Sequence, residues 1–597
     1  MNEYLNLLFS YSFVLTTSII NIVVSIVLGM IPLKIFRLNP KNLTIYLVHS
    51  FWVGYVLLTA LLMFINIFLP IKFWVIVPIL GILSVFSLLY NRKTLTSLHF
   101  NKQHFSQSIG VILLLSVAAL VFIRSNFSGH YAFDMYNYHF QLLYHANHYP
   151  TILGAINLFT WYGNMYATVY QSAFLQTLIP QGSTEWMLTS YLFFISSHTI
   201  VLAFLLTLVS FYKVEMPNNS LDKTPFKNRL FISYILAATL IFLLFKISSP
   251  FLLGTGTEGL RNHIPDLNYY LLNFVIVLYL LYYYSRPSQK ILFFVIVSLA
   301  IAQIFLKMSS ALMSLLMVII ALVIYLRSKN SRVQLVWYIV FFIFLFAPYL
   351  ATNIIKSGTF LFPSSALDLH LPWSNVEKLD TYIGGVLNWA RNPRIDMTLY
   401  GTQKNFWNFT FVVPWLKMYL PYFSSMLVLF LGSVSMLIFF VKKYKTSIKE
   451  MQIPSLVFGI VWISLATFWF LFGPDVRFAG ALFILPSVFI FALILTVLPI
   501  RIPDNKYFLL IIVILAFASM DTSMLKKRII LSHLTSPIKS SYEGVTVYYG
   551  KWKSGFQCGY TSLMPCTHNI DKNYSFIDPN IWYKGLIKKS KKGIEKQ

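Results

Sequence analysis

Charge is what this sequence has least of. Of its 597 residues 11% are charged and 57% hydrophobic, and the mean hydropathy is +0.69. So little charge cannot clothe a water-soluble globule of this mass, which excludes a soluble enzyme. Acids are especially scarce, with 19 Asp and Glu against 46 Lys and Arg and a net charge of +27. In a soluble chain that excess would point to nucleic acid; here it points to membrane topology, with no nucleic-acid partner. Cysteine is nearly absent: Cys558 and Cys566 are the pair, too far apart for a CxxC redox site and too few for a closed zinc site. No Gly-rich phosphate cradle lies in the short basic loops, which argues against an ATPase or a nucleotide-sugar enzyme facing the cytosol. No internal repeat is visible, and the N-terminus has neither a basic n-region nor a small-residue cleavage site, so no cleavable signal is expected.

What the chain does have is apolar runs long enough to cross a bilayer. About fourteen are read, near 8–32, 44–69, 72–90, 108–124, 186–211, 230–247, 267–284, 291–306, 309–326, 334–354, 419–441, 453–472, 479–500 and 507–520. The expected fold is an all-α polytopic membrane protein. Basic residues gather after the odd-numbered runs, for example Lys34, Arg37 and Lys41, then Arg92 and Lys93, then Arg286 and Lys290, then Arg327 and Arg332. Because Lys and Arg in short loops favour the cytoplasmic side, this frame puts both termini outside. The expected division is a transmembrane helical domain over 1–520, with large outer loops at 125–185 and 355–418, and a small extracytoplasmic tail over 521–597. In that tail Cys558 and Cys566 are expected to oxidise to a structural disulfide.

Chemistry is then expected in the outer loops. In the first, His130, Asp134, Tyr138, Gln141, His145 and His148 fall at helical spacing on one face, predicting an amphipathic helix along the membrane surface that Pro150 ends. Asp134 is the lone carboxylate between Arg124 and Glu185. A carboxylate there suits a general base, or a divalent-cation ligand beside a His; the histidines taken singly read as interfacial residues. The second loop concentrates Glu258, Arg261, His263 and Asp266 beside three glycines, a pattern that fits a helix start as well as it fits a phosphate site. Lys307, at a tight turn, either snorkels or presents a cation to an anion. Arg391 lies with Trp389 and Arg394 in an aromatic, cationic loop suited to sugar stacking and anion contact, or to a lid on the membrane. Asp475 and Arg477 share a short turn, as a phosphate grip or a private ion pair.

The segments FDMYNYHFQ, Gly154-x-x-Asn157-Leu158, IPDLNYYLL, LKMSSALMSLL, PWSN, NWARNP, GPDVRF and CGYTSLMPCT, spread from Phe133 to Cys566, together resemble a family of bacterial multi-pass membrane proteins of unestablished function. That family in turn resembles the GT-C glycosyltransferases, which carry an acid in a large extracytoplasmic loop and use a polyprenyl-phosphate sugar as donor. The resemblance implies a GT-C-like fold in a bacterial cytoplasmic membrane, with Asp134 as the catalytic acid's counterpart and Tyr138 and His139 beside it. It also implies a polyprenyl-phosphate-linked sugar and membrane lipid as partners. The GT-C acid follows the first span, whereas Asp134 follows the fourth, so three spans would stand before the shared part. Inverting sugar transfer is then expected, with Asp134 as base and Arg477 and Arg261 neutralising the departing phosphate. Glu258, Lys307, Arg391 and Asp475 complete the expected substrate contacts. A flippase, a transporter or a polymerase of lipid-linked glycans is the alternative expectation.

Overall fold

The computed structural model describes residues 2–38, 42–97, 110–121, 139–178, 185–215, 226–244, 264–328, 331–391, 409–444, 448–474, 482, 484–498, 505–518, 538–549, 565–567, 570 and 573–589. The chain is mostly helical. In order, the helices among the described residues are α1 (Asn2–Ile35), α2 (Leu43–Phe68), α3 (Phe73–Ser97), α4 (Gly110–Val121), α5 (Phe140–His148), α6 (Ala155–Leu158), α7 (Ala167–Thr177), α8 (Glu185–Glu215) and α9 (Phe226–Leu244). They continue as α10 (Ile264–Ser285), α11 (Lys290–Leu306), α12 (Ala311–Arg327), α13 (Arg332–Ser357), α14 (Val376–Arg391), α15 (Val412–Tyr444), α16 (Ile448–Phe472), α17 (Leu485–Val497) and α18 (Asn505–Ala518).

A helix overlaps each apolar run read in the sequence, because backbone N–H and C=O groups in hydrocarbon have no water to bond and must pair within their own segment. Seven segments among the described residues are long and apolar enough to cross a membrane: Ser12–Ile35, Leu43–Phe68, Phe73–Thr96, Ile195–Lys213, Met308–Arg327, Arg332–Ser357 and Met451–Phe472. The protein is a multi-pass membrane protein. Its outward faces fit a lipid solvent: Ile82, Val85 and Leu89 on α3, Val336, Ile343 and Phe344 on α13, and Ile453, Leu456, Ile460 and Ile463 on α16 are all exposed. In water such contiguous apolar stripes would drive aggregation; against acyl chains they cost nothing.

Helix α2 is central, buried along most of its length and packed against α1, α7, α8, α11 and α13. Since lipid is as apolar as leucine, close approach and internal hydrogen bonds hold such a bundle rather than apolar burial. The α1–α2 crossing shows the first: Ser25 and Gly29 face Ser50 and Gly54 so closely that a Cβ on Gly29 would lie 1.8 Å from the Ser50 carbonyl oxygen, and one on Gly54 1.7 Å from that of Ser25. The second appears as buried side-chain pairs between helices. Trp52 Nε1 donates to Thr207 Oγ1 at 3.0 Å, His49 Nδ1 lies 2.9 Å from the Tyr279 hydroxyl, and Gln303 links Asn273 (3.1 Å) to Ser314 (2.9 Å).

The two ends of the bundle differ. At one, Gln334 Nε2 donates to the Phe36 carbonyl at 3.2 Å, Lys290 Nζ donates to Gln334 Oε1 at 2.8 Å, and Lys34 donates to the Tyr90 carbonyl. The turns bearing Lys34, Arg37, Lys290 and Arg332 therefore meet at a single basic end, as the alternation of charge along the sequence requires. The opposite end is roofed by α5 to α7, by the segment from Gly358 to Arg391, and by a C-terminal module.

That module departs from an all-α fold. Strand β1 (Ile538–Tyr542) pairs antiparallel with β2 (Val545–Tyr549), which pairs in parallel with β3 (Cys566–Thr567); β4 (Tyr574–Phe576) pairs antiparallel with β5 (Leu586–Lys588). The hairpin is legible afterwards: Glu543 and Gly544 both have positive φ (50° and 79°), and the two-residue turn joins strands in which Val545 and Val547 are buried. Cys566 sits in β3, and its expected partner Cys558 lies outside the described residues. Replacing Gly54 with Leu should cost the bundle about 3 kcal/mol through overpacking, seen as a lower melting temperature and loss of the monodisperse gel-filtration peak in detergent, whereas Ile82→Leu on the lipid face should leave both unchanged.

Candidate functional site

The roofed end is built on the C-terminus of α13. The last carbonyls of a helix have no partner of their own, and beside a membrane they lack bulk water as well. Here the Ile354 carbonyl accepts from the Gly358 N–H at 2.8 Å and from Trp373 Nε1 at 2.8 Å, while the Ile355 carbonyl accepts from the Gly154 N–H at 2.8 Å. Gly154 holds φ at +60°, and a Cβ there would lie 2.6 Å from the Leu586 carbonyl oxygen and 3.0 Å from Trp373 Cβ, so glycine alone fits. Three residues on, Asn157 Nδ2 donates to the Trp373 carbonyl at 2.9 Å and its Oδ1 accepts from Asn375 Nδ2 at 3.0 Å. Lys378 Nζ donates to the Asn157 carbonyl at 2.9 Å. The Gly-x-x-Asn-Leu signature is thus the clasp that fastens the outer loop at 125–185 to the third outer loop, at 355–418.

The C-terminal module closes over this clasp. The Leu586 N–H donates to the Leu153 carbonyl at 3.2 Å, the Lys588 N–H donates to the Pro372 carbonyl at 2.8 Å, and the Tyr574 hydroxyl donates to the Ser374 carbonyl. Its Trp582 ring packs 4.9 Å from Tyr149 and 5.9 Å from His145, and Tyr583 stacks on Tyr149 at 4.8 Å. Burial raises the Tyr149 hydroxyl to about 12, with Tyr144 and Tyr583 acting in the same direction.

Beneath lies a cavity of about 20 Å³, room for about one water molecule, whose walls include Asn66, His145, Tyr162, Asn164, Tyr166, Tyr170 and Lys356. Asn66 braces the floor, its Nδ2 donating to the Ala146 and Tyr149 carbonyls, both at 3.1 Å. Lys356, in the last turn of α13, is 8% exposed, and among the described residues it has neither a hydrogen bond nor an ion pair. The C-terminal end of a helix dipole favours a cation there, yet no carboxylate among the described residues lines the cavity. His145 is 7% exposed; its ring meets Tyr162 edge-on at 4.9 Å, and its Nε2 has no hydrogen-bond partner. Burial pushes the His145 imidazole down to about 3, and Lys356 and His148 push it the same way. At neutral pH it is therefore a neutral ring.

The residues singled out in the sequence divide in two. Asp134, Tyr138, Glu258, Arg261, Asp475 and Arg477 lie outside the described residues. His139 is buried, with its ring 4.9 Å from Tyr166 in the cavity wall. Lys307 is half-buried at the end of α11 with its ammonium 6.0 Å from the Tyr269 ring. Its neighbour Met308 takes a contact from the Tyr349 hydroxyl of α13, at 3.9 Å from the sulfur, which puts Lys307 toward the roofed end. Arg391 is 1% exposed; its Nη2 donates to the Leu471 carbonyl at 3.1 Å and its guanidinium lies 4.6 Å from the centre of the Phe411 ring. It ties the third loop to the end of α16. Among the described residues no three His, Cys, Asp or Glu side chains are grouped to hold a metal ion.

The first-loop helix is a correction. Its described part, Phe140–His148, ends where Pro150 requires, but no face of it is left open as an amphipathic helix would leave one: seven successive side chains from Gln141 to Asn147 are buried. The helix packs against α7, and the C-terminal module's Trp582 lies against His145. Lys356, in the sequence merely the residue near which the third loop begins, is the functional candidate that pattern missed; a Lys two residues before a helix-ending Gly is too common to announce a cavity.

The sign of a pH effect follows from His145. Its folded pKa lies below the unfolded value of about 6.5, so between about 6.5 and about 3 the unfolded chain holds a proton that the folded chain refuses. This contribution is complete above the unfolded pKa and is lost as pH falls. Melting temperatures measured from about pH 7.5 down to about pH 5 should decline, and His145→Gln should flatten that decline.

The chain was compared with protein families, curated proteins and solved structures. No curated protein and no solved structure matches it. Residues 12–485 match the family described as a domain of unknown function, DUF8201; that span covers most of the 597 residues, and the chain belongs to this family.

Proposed function

We propose that the protein is a membrane-embedded glycosyltransferase that moves a sugar from a polyprenyl-phosphate donor to a glycan or lipid acceptor at the outer face of a bacterial cytoplasmic membrane. The observation that carries this reading is the roofed cavity where the spans end. Apolar helices below it suit a lipid tail, while buried polar side chains and Lys356, unpaired among the described residues, suit a charged head group at the boundary. Aromatic rings of Tyr149, Trp582 and Tyr583 above it suit a sugar face. On this reading the roofed end is extracytoplasmic and the basic end cytoplasmic, and all fourteen apolar runs span the membrane in a GT-C-like arrangement. Asp134 takes the acceptor proton, and Arg477 with Arg261 stabilises the charge that develops on the departing phosphate. Tyr138, His139, Glu258, Lys307, Arg391 and Asp475 shape the substrate site.

A flippase or transporter needs polar groups lining a continuous path through the bilayer. Gln303, Asn273 and Ser314, buried polar groups within the bundle, bond one another and join helices, which favours the transferase. The decisive test is Asp134→Asn at normal protein level, with surface glycan as readout. A base of this kind contributes about 100-fold or more to the rate, so glycan should be nearly abolished. Unchanged glycan removes the general-base role, and shortened chains with every sugar still present assign the protein to polymerisation instead.

A further inference from the structure

A cation buried without a counter-charge is costly, and removing water from it worsens the cost unless a ligand supplies the missing anion. Among the described residues Lys356 is in that position at the wall of the cavity, and His145 offers a second polar atom, Nε2, without a partner there. Both side chains are more than nine-tenths buried. Tyr162 and Asn164 bring a hydroxyl and an amide to the same walls, and no Asp or Glu is among the described lining residues. Such a lining repels a metal ion and attracts an oxyanion. We propose that Lys356 and His145 form a binding site for one phosphate group, with the C-terminal module as its cover. Trp582, the module's ring against His145, is the part that gives way for entry, because the closed cavity holds about one water and not a whole phosphate. The site deepens the transferase reading and rests on it for the source of the phosphate, a lipid head group rather than a soluble ester.

The test uses the full-length chain purified in detergent, with melting temperature and dissociation constant as readouts. The probes are polyprenyl monophosphate, the uncharged polyprenol, and inorganic phosphate. Polyprenyl monophosphate should raise the melting temperature and polyprenol should not. Lys356→Met should weaken polyprenyl monophosphate binding by about 10-fold or more, the loss expected for a charge-assisted contact. Lys356→Arg should retain most of the binding. Without ligand, Lys356→Met should melt no lower than the parent, since it removes an unpaired buried charge. Trp582→Ala should speed association without abolishing binding.

Protection by inorganic phosphate as strong as that by the lipid moves the source to a soluble phosphate and keeps the site. Failure of both phosphates to protect, equal binding by Lys356→Met, or a lower melting temperature for that variant without ligand each overturns the proposal, the last by assigning the lysine to structure. The two readings fail separately. Binding lost in Lys356→Met while Asp134→Asn leaves glycan intact retains the site and removes the transferase; the reverse retains the transferase and removes the site.

Discussion

The roofed end depends on how the C-terminus of α13 is satisfied. A helix that stops at a membrane boundary leaves carbonyls that lipid cannot bond, and here the Gly154 N–H and the Trp373 indole reach the Ile355 and Ile354 oxygens from two different loops. Because Gly154 comes from about 200 residues earlier and Trp373 from the segment that follows the helix, capping that helix also fixes the loop at 125–185 against the loop at 355–418. Asn157 locks the junction with both ends of its amide, and the C-terminal strands lie on top of it. Lys356 is part of the same last turn, so the contacts that complete the helix also aim its lysine.

Within the bundle a different balance holds. Lipid offers no hydrophobic drive for helix association, so the α1–α2 crossing relies on Gly29 and Gly54 bringing backbones together, and α2 reaches its other neighbours through His49, Trp52 and Thr59. A hydroxyl, indole or amide left unpaired in that setting costs more than in water, which makes each pair specific in register as well as favourable. The lipid-facing sides of α3, α13 and α16 carry no such groups at their exposed positions named above and are simply apolar.

Much of this architecture is legible along the chain. The helical segments follow from apolar runs, the shared basic end from the alternation of Lys and Arg, and the turn at Gly154 from the Gly-x-x-Asn-Leu pattern. What resisted reading was everything set by contact between distant segments. The stripe of Gln141, His145 and His148 has the period of an interfacial helix, yet Gln141 and His145 are buried, and the ring of Trp582, from far along the chain, packs against His145. Arg391 reads in the sequence as an anion contact or part of a lid, and its contacts with the Leu471 carbonyl and the Phe411 ring, from 80 and 20 residues further on, are not encoded by that local pattern. The strands of the C-terminal module were missed because they are short and set in a polar tail, although the Glu543-Gly544 turn marks them.

The sequence by itself determined that the protein is a helical, multi-pass membrane protein with one basic end, because transfer into lipid is a sum over local residues and needs no knowledge of neighbours. Only the tertiary structure decided that Lys356 and His145 share one cavity and that the C-terminal strands cover it. Those facts depend on hydrogen bonds and ring contacts between residues hundreds of positions apart, which no local pattern encodes.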